Sequence, residues 1–338
     1  VLNILSNKTI QLLPDITVAN ALQRVSGVTI EKSNTGQGRY PIIRGMEKRY
    51  INTLVNGVKI PSPDNKSRFI PLDLFPSELL ERLEVSKSLT PSMEGDAIGG
   101  TINLVMKDAP DRFLFNVNAS TGYNSVFMDQ NYSKFNSGSI AKFSPNDVKN
   151  DPTYQAVPSD FSKSHLNYTS LKGPVNSTFG VTLGDRLGND KKFGYIVSAS
   201  YQNIYSGSRS TFFLPNAQPG LGNIPQFVEL QDRTYSSQST RLGLNSKFDY
   251  RINKNEKITW VNTYVQLGDQ QTRLISDTIA LNSLVDKYAR SSFQYQSIYN
   301  STIQGTHKIE NEGKIDWSLS YSKAKNNMPD QIEFMHEY

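Results

Sequence analysis

The feature that most constrains this chain is an alternation of period two that sets in near residue 110 and recurs in long runs. From Phe113 the odd positions to 123 read Phe, Phe, Val, Ala, Thr, Tyr, while the even positions between them read Leu, Asn, Asn, Ser, Gly. Phe179, Val181 and Leu183 alternate with Thr178, Gly180, Thr182 and Gly184. Phe193, Tyr195, Val197, Ala199 and Tyr201 alternate with Gly194, Ile196, Ser198, Ser200 and Gln202. Leu242, Leu244, Phe248 and Tyr250 alternate with Arg241, Gly243, Asn245, Lys247, Asp249 and Arg251, and Ile315, Trp317, Leu319 and Tyr321 alternate with polar residues, mostly serine. Successive side chains of a strand point to opposite faces, so each run is a strand with one apolar and one polar face. Two more strands, around 257–268 and 293–309, alternate less cleanly.

A soluble β-sandwich also alternates, but its strands usually run about 5–6 residues, and these run to about 10–14. The connections alternate too. Short turns fall at 187–191, 253–256 and 310–313, and long polar segments at 124–175, 207–238 and 271–291. Short turns on one side and long loops on the other are the pattern of a transmembrane antiparallel β-barrel of the outer-membrane type. Phe193 and Tyr205 lie twelve residues apart on the apolar face. At a tilt near 40° that is roughly 30 Å along the membrane normal, against an apolar band of about 25 Å edged by aromatic girdles. About seven strands are countable. Single-chain bacterial barrels have even numbers from 8 upward, and open edges are a liability. Strands beyond Tyr338, or a partner, are therefore expected to complete the wall.

Composition removes other classes. No run approaches the roughly 18 apolar residues of a membrane helix, and there are no cysteines for disulfides, thiolate metal sites or Cys nucleophiles. The net charge of +5 (36 Lys+Arg against 31 Asp+Glu) is interspersed and gives no basis for nucleic-acid binding. His165, His307 and His336 are scattered without metal-ligand spacing, and no hydrolase or metalloprotease motif is present. Gly99-Gly100 lacks the rest of a phosphate-binding loop. The reading is therefore not an enzyme, with no metal and no cofactor. Asn-x-Ser/Thr triplets, as at Asn7, Asn131 and Asn300, are chance matches in an Asn- and Ser-rich chain.

Before residue 110 the texture is that of a compact α+β domain. The i, i+3, i+4, i+7 spacing of Val18, Ala21, Leu22 and Val25 predicts a helix over 15–27, ended by Gly27. Short strands follow at 28–30, 42–45, 50–55 and 58–60, with Asn56-Gly57 as a hairpin turn. A second short helix is predicted over 76–83 with Pro76 in its first turn, then strands at 83–85 and 101–106.

These residues carry a resemblance. Leu13-Pro14-Asp15 through Gly27-Val28, then Tyr40-Pro41-Ile42-Ile43-Arg44-Gly45-Met46 with Leu54-Val55-Asn56-Gly57-Val58, resemble the plug of TonB-dependent outer-membrane receptors. The strongest piece is Pro76 through Leu80-Glu81-Arg82-Leu83-Glu84-Val85 followed by Glu94-Gly95-Asp96-Ala97-Ile98-Gly99-Gly100-Thr101-Ile102-Asn103-Leu104. The ordered set spans nearly all of 1–108. The resemblance implies an α+β plug domain, 1–110, inside a barrel that is 22-stranded when complete, of which 111–338 is the N-terminal part. Twenty-two strands at this spacing need roughly 700 residues. A short energy-coupling segment normally precedes the plug, and Val1 already lies close to the plug start.

The resemblance also implies residue roles. Plugs of this family hold buried arginines that pair with barrel acids; Arg44 and Arg82 occupy those positions. Solute contacts come from outward plug loops, here 34–40, 61–69 and 88–96, which offer Asn34, Gln37, Arg39, Asp64, Asn65, Arg68 and Glu94. The implied activity is TonB-dependent active import across the outer membrane of a scarce solute too large for porins, an iron chelate or an oligosaccharide. The acidic motif from Met93 to Gly100 resembles a branch linked to glycan uptake. The implied partners are TonB of the inner-membrane energising complex, the extracellular solute, outer-membrane lipid and outer-membrane partner proteins. The alternative is a barrel that acts as a docking, receptor or signalling subunit without transport, its long loops serving as interaction surfaces.

Overall fold

The computed structural model describes residues 2–12, 15–64, 67–91, 93–141, 143–162, 164, 167–188, 190–280, 284–309 and 313–337. The first part comprises β1 (Leu2–Ser6), α1 (Asn7–Gln11), α2 (Val18–Leu22), β2 (Val28–Lys32), β3 (Gly38–Ile43), β4 (Ile51–Val55), β5 (Val58–Lys59), β6 (Leu80–Ser86) and β7 (Gly100–Met106). Five strands form one sheet in the order β1-β6-β7-β4-β5, with β4 and β7 parallel; β2 and β3 pair separately. Leu72, Leu74, Phe75, Leu79, Leu83 and Ile102 are fully buried at its centre.

Two predicted helices are shorter than the spacing suggested. In α2 the Thr17 hydroxyl caps the Asn20 amide, and Val18, Ala19, Ala21 and Leu22 are buried. From Gln23 onward the bonds tighten to i→i−3, as in Arg24 N–H to Ala21 O and Val25 N–H to Leu22 O, and Gly27 at φ 71° turns the chain into β2. Over 76–83 only a 3-10 turn forms, at Ser77–Leu79. Leu80 onward is β6, paired on both sides by β1 and β7; ladder bonds on two edges override the local helical spacing.

The second part opens with β8 (Leu114–Tyr123), then a long excursion holding α3 (Val126–Asp129), β9 (Tyr132–Phe135), α4 (Pro145–Lys149) and β10 (Tyr168–Leu171). It continues with β11 (Val175–Leu187), β12 (Phe193–Pro215), β13 (Phe227–Arg251), β14 (Glu256–Ile279), β15 (Leu284–Ile309) and β16 (Gly313–Glu337). Seven of these make one antiparallel wall in the order β16-β15-β14-β13-β12-β11-β8. Among the described residues no helix is long and apolar enough to cross a membrane.

The five strands from β12 to β16 have 23 to 26 residues. At about 3.3 Å per residue they rise roughly 80 Å along the strand, far more than a bilayer needs. The polar segments 207–238 and 271–291, expected as loops, are therefore mostly strand, with the first connection confined to 216–226. Above the apolar band neither face of a strand meets lipid, so the alternation disappears while the backbone ladder continues.

Cross-strand partners share a face, so the register defines two sides. Gln202, Arg241, Val265 and Gln296 face the first domain, which packs on this inner face. Phe193, Phe248 and Trp260 stack in a row on the outer face, with ring centroids 6.4 and 5.7 Å apart. Tyr205 was expected in an upper aromatic girdle facing lipid. It lies on the outer face but is covered: Tyr132 of the excursion meets it edge-on at 5.1 Å. The same excursion bonds from Ser133 N–H to Ser236 Oγ and accepts at Phe135 O from Gln270, both on the outer face. It is a collar on the outside of the wall.

Candidate functional site: the outward loops and the contact between plug and wall

Topology gathers the three expected contact loops at one end of the first domain. β4 and β7 are parallel and start at the same end. β5 and β6 run back toward it, so segments 61–69 and 88–96 both lie there. The β2–β3 turn joins them through Tyr40, whose ring meets Phe69 edge-on at 6.3 Å.

Of the expected contact residues, Asn34 is exposed and its carbonyl accepts from Ser208 Oγ at 2.6 Å. Gln37 and Arg39 are half-buried, and Arg39 Nη2 donates to Gln296 Oε1 at 3.3 Å. Asp64 accepts from Ser67 Oγ at 2.7 Å, and Arg68 is exposed. Glu94 is exposed and bonds to Lys59, which also reaches Asp96. The Asn52 amide and then Lys59 hold the Asp96 carboxyl below its usual range. Asn65 lies outside the described residues, as does His165.

Arg44 is exposed at φ 51° and donates to Lys87 O at 3.1 Å. Arg82 pairs with Glu84 at 2.7 Å. Both bonds lie within the first domain.

Besides the Arg39–Gln296 and Ser208–Asn34 bonds, further contacts tie the two parts together. Arg241, expected on the inner face, is 1% exposed and donates from Nε to Asp73 O at 2.6 Å. Burial raises the Asp73 carboxyl, opposed by the charges of Arg39 and Arg241. A cavity of about 40 Å³ separates these groups, lined by Arg39, Asp73, Arg241, Asp269 and Gln296. Lys247, also expected inside, pairs with Asp108 of the connecting segment at 2.9 Å. Burial works to raise the Asp108 carboxyl, but the charge and hydrogen bond of Lys247, with the charges of Lys257 and Arg186, together hold it low. Arg251 is exposed, 3.9 Å from Asp111.

Deeper at the same end, Arg186 and Asp249 form a doubly bonded pair at 2.9 Å on each arm, with side chains 2% and 0% exposed. Both residues sit at polar positions of alternating strands, and a search for opposite charges equally far from a short turn would have found them. Higher up, Glu78 accepts from Asn118 Nδ2 and from Ser200 Oγ, each at 2.6 Å. Around it lies a cavity of about 610 Å³ between the first domain and strands β8, β11 and β12. Among the described residues no group of three or more His, Asp or Glu is placed to hold a metal ion.

Residues 1–101 match the family model described as TonB-dependent Receptor Plug Domain. Over 127 residues the chain is 25% identical to the vitamin B12 transporter BtuB of Photobacterium profundum, a match that covers 37% of this chain and 21% of that relative. Solved structures overlap nearly the whole chain at low similarity. A mutant of the ferric enterobactin receptor PfeA of Pseudomonas aeruginosa gives a TM-score of 0.40 at 11% identity, covering 99% of this chain and 58% of that one. BauA, the ferric preacinetobactin receptor of Acinetobacter baumannii, gives 0.43 at 14%, covering 99% and 48%. The RagAB peptide importer gives 0.43 at 11%, covering 100% and 48%. The chain thus spans less than two thirds of each of these proteins, and overlaps at such scores carry no argument about substrate.

Proposed function

We propose, for a chain whose plug and run of barrel strands make it a TonB-dependent receptor of the outer membrane, that it actively imports a scarce solute too large for porins. TonB of the inner-membrane complex supplies the energy and the plug, residues 1–110, is the gate. The observation that carries this reading is the matched plug seated on the inner face of a wall whose outer face is apolar and aromatic. A seated plug closes the lumen, so passage requires an input of work. The solute is an iron chelate or an oligosaccharide; the relative named as a vitamin B12 transporter adds a third large solute to the test. Asn34, Gln37, Arg39, Asp64, Asn65, Arg68 and Glu94 are assigned to solute contact, and Arg44 and Arg82 to pairing with acids on the rest of the wall. A deletion strain grown on a panel of glycans, iron chelates and vitamin B12 identifies the solute. Uptake of that solute that persists after loss of the partner TonB system overturns the reading.

The collar favours a second reading, a docking or receptor subunit. Its segment 126–171 presents Met128, Phe143 and Val148 outward, each more than 65% exposed. Co-purification from native membrane, with and without residues 136–167, decides whether a partner protein sits there.

A further inference from the structure

With Tyr205 under the collar, the band that the wall itself offers to lipid is short. On β12 its last exposed ring is Tyr201, eight residues above Phe193. At a tilt near 40° that is roughly 20 Å along the membrane normal, against an apolar band of about 25 Å. The next outward row is polar. Asn203 stands opposite Thr240 and accepts from Gln238 Nε2 at 2.8 Å. A span shorter than the hydrocarbon must thin the bilayer or find apolar surface elsewhere.

The collar brings apolar surface to the missing height. Asn124 Nδ2 donates to Tyr205 O at 3.5 Å, and Arg209 Nη2 donates to Asp129 O at 3.3 Å. Between these two bonds α3 lies flat on β12. Phe127 turns to the wall, so close that a Cβ on Gly207 would stand 3.0 Å from its ring. The Tyr123 hydroxyl donates to Phe127 O at 2.7 Å and fixes the turn. Met128, next in sequence, is left facing away from the wall at 74% exposure. Leu171 is the ladder partner of Tyr132, the ring that covers Tyr205, and is 42% exposed. Val175 prolongs the outer line of Leu183, Val181 and Phe179 on β11 to the level of Tyr205 and is 58% exposed. The three residues sit on β10, β11 and α3, and together they carry the exposed band upward past the polar row.

We propose that the lower rim of the collar, formed by Met128, Leu171 and Val175, lies in the headgroup–acyl boundary of the outer-leaflet lipid and serves as the upper girdle in place of Tyr205. Continuity with the lipid-facing band selects lipid as the occupant. Apolar side chains on short interfacial elements enter that boundary by about 5–10 Å, which spans the shortfall. The collar is thus held from two sides, by the wall behind it and by lipid in front. Phe143 and Val148 lie further along the excursion and are not part of this rim. The proposal holds whether the receptor imports or docks.

The chain has no cysteine, so a single label reports a single site. The full-length receptor is reconstituted into liposomes of phosphatidylethanolamine and phosphatidylglycerol with a nitroxide at Met128→Cys or at Val175→Cys. Tyr201→Cys is the reference for lipid, and Leu221→Cys, 98% exposed in the connection between β12 and β13, is the reference for water. Collision with oxygen, which concentrates in lipid, is measured against collision with a neutral nickel chelate, which stays in water. The expected oxygen-to-nickel ratio at both rim positions is at least about threefold above that of Leu221→Cys and approaches that of Tyr201→Cys. Either rim position at the Leu221→Cys ratio overturns the proposal. So does a rim position shielded from both reagents, which marks a second copy or another protein surface lying over it.

Discussion

Arg186 joins β11 to β13 through a buried ion pair and touches the segment leaving the plug. Its guanidinium meets the Asp249 carboxylate at 2.9 Å on both arms, and the two side chains are 2% and 0% exposed. Nη2 also reaches Ala109 O at 3.5 Å, and Lys257 stands 3.8 Å from the same carboxylate. Asp249→Ala leaves the guanidinium buried with no countercharge of comparable geometry, because Asp111 approaches it only to 3.5 Å and is 79% exposed. Breaking a buried pair from one side costs about 3–5 kcal/mol, a shift of roughly 10²- to 10⁴-fold in the folded ratio. Removing both charges behaves differently. Arg186→Met with Asp249→Leu replaces the pair by apolar volume and is expected to recover most of the loss, since such replacements are often neutral or stabilising. Urea unfolding of the full-length receptor refolded in detergent, followed by tryptophan fluorescence, measures Asp249→Ala, the double variant and its two components Arg186→Met and Asp249→Leu. A loss below about 1 kcal/mol for Asp249→Ala, or a double variant whose loss equals the sum of the singles, refutes the coupling.

Three further outcomes follow from the contacts. Gly243→Ala places a Cβ 2.7 Å from Leu79 Cδ1 and 2.9 Å from Pro76 Cγ; overpacking of about 1–3 kcal/mol should loosen the plug, read as faster hydrogen exchange over β6 and β7. Asp73 has a carboxyl raised by burial, so its folded form binds a proton more readily than the unfolded chain. The stability it contributes is full below the ordinary carboxylate value of about 3.9 and is lost as pH rises through the raised folded value. Asp73→Asn should flatten plug stability across that window, measured by urea titration at several pH values. Tyr132→Ala removes a ring 1% exposed that packs on Phe127 and Tyr205; large aromatic deletions cost about 3–5 kcal/mol, here spent on collar docking. Proteolysis within 136–167 should then accelerate while the wall keeps its β-sheet circular dichroism.

The plug was legible because its motifs are short, ordered and tied to turns, and the wall because one face of each strand meets an apolar medium. What could not be read has a physical reason in each case. The upper halves of β12 to β15 carry no clean alternation because neither face meets lipid there, so 207–215 and 227–238 read as loop although the two stretches pair along the ladder. The collar is polar and irregular, and its seat on Ser236 and Gln270 depends on contacts over a hundred residues apart. Among the residues tying plug to wall, Arg241 and Lys247 fell on expected inner positions. Asp73 and Glu78 did not stand out, because a single acid beside Leu72 or Ser77 has no local signature; its meaning comes from the wall opposite.

The strands that alternated poorly are the informative ones. Around 257–268 the inner face holds Val261, Val265 and Leu267, buried to 4% exposure or less, and the outer face includes Asn262 and Gln266. Around 293–309 Ile298 points inward beside Asn300 and Thr302. A lumen filled with water wants small or polar side chains on its inner positions, as on β11 from Asn176 to Arg186. An apolar inner position is stable only where something dry covers it. The blurred period of β14 and β15 is thus the imprint of the plug on the wall. The alternation pattern of a plugged barrel consequently marks, from sequence, a sector that grips the plug.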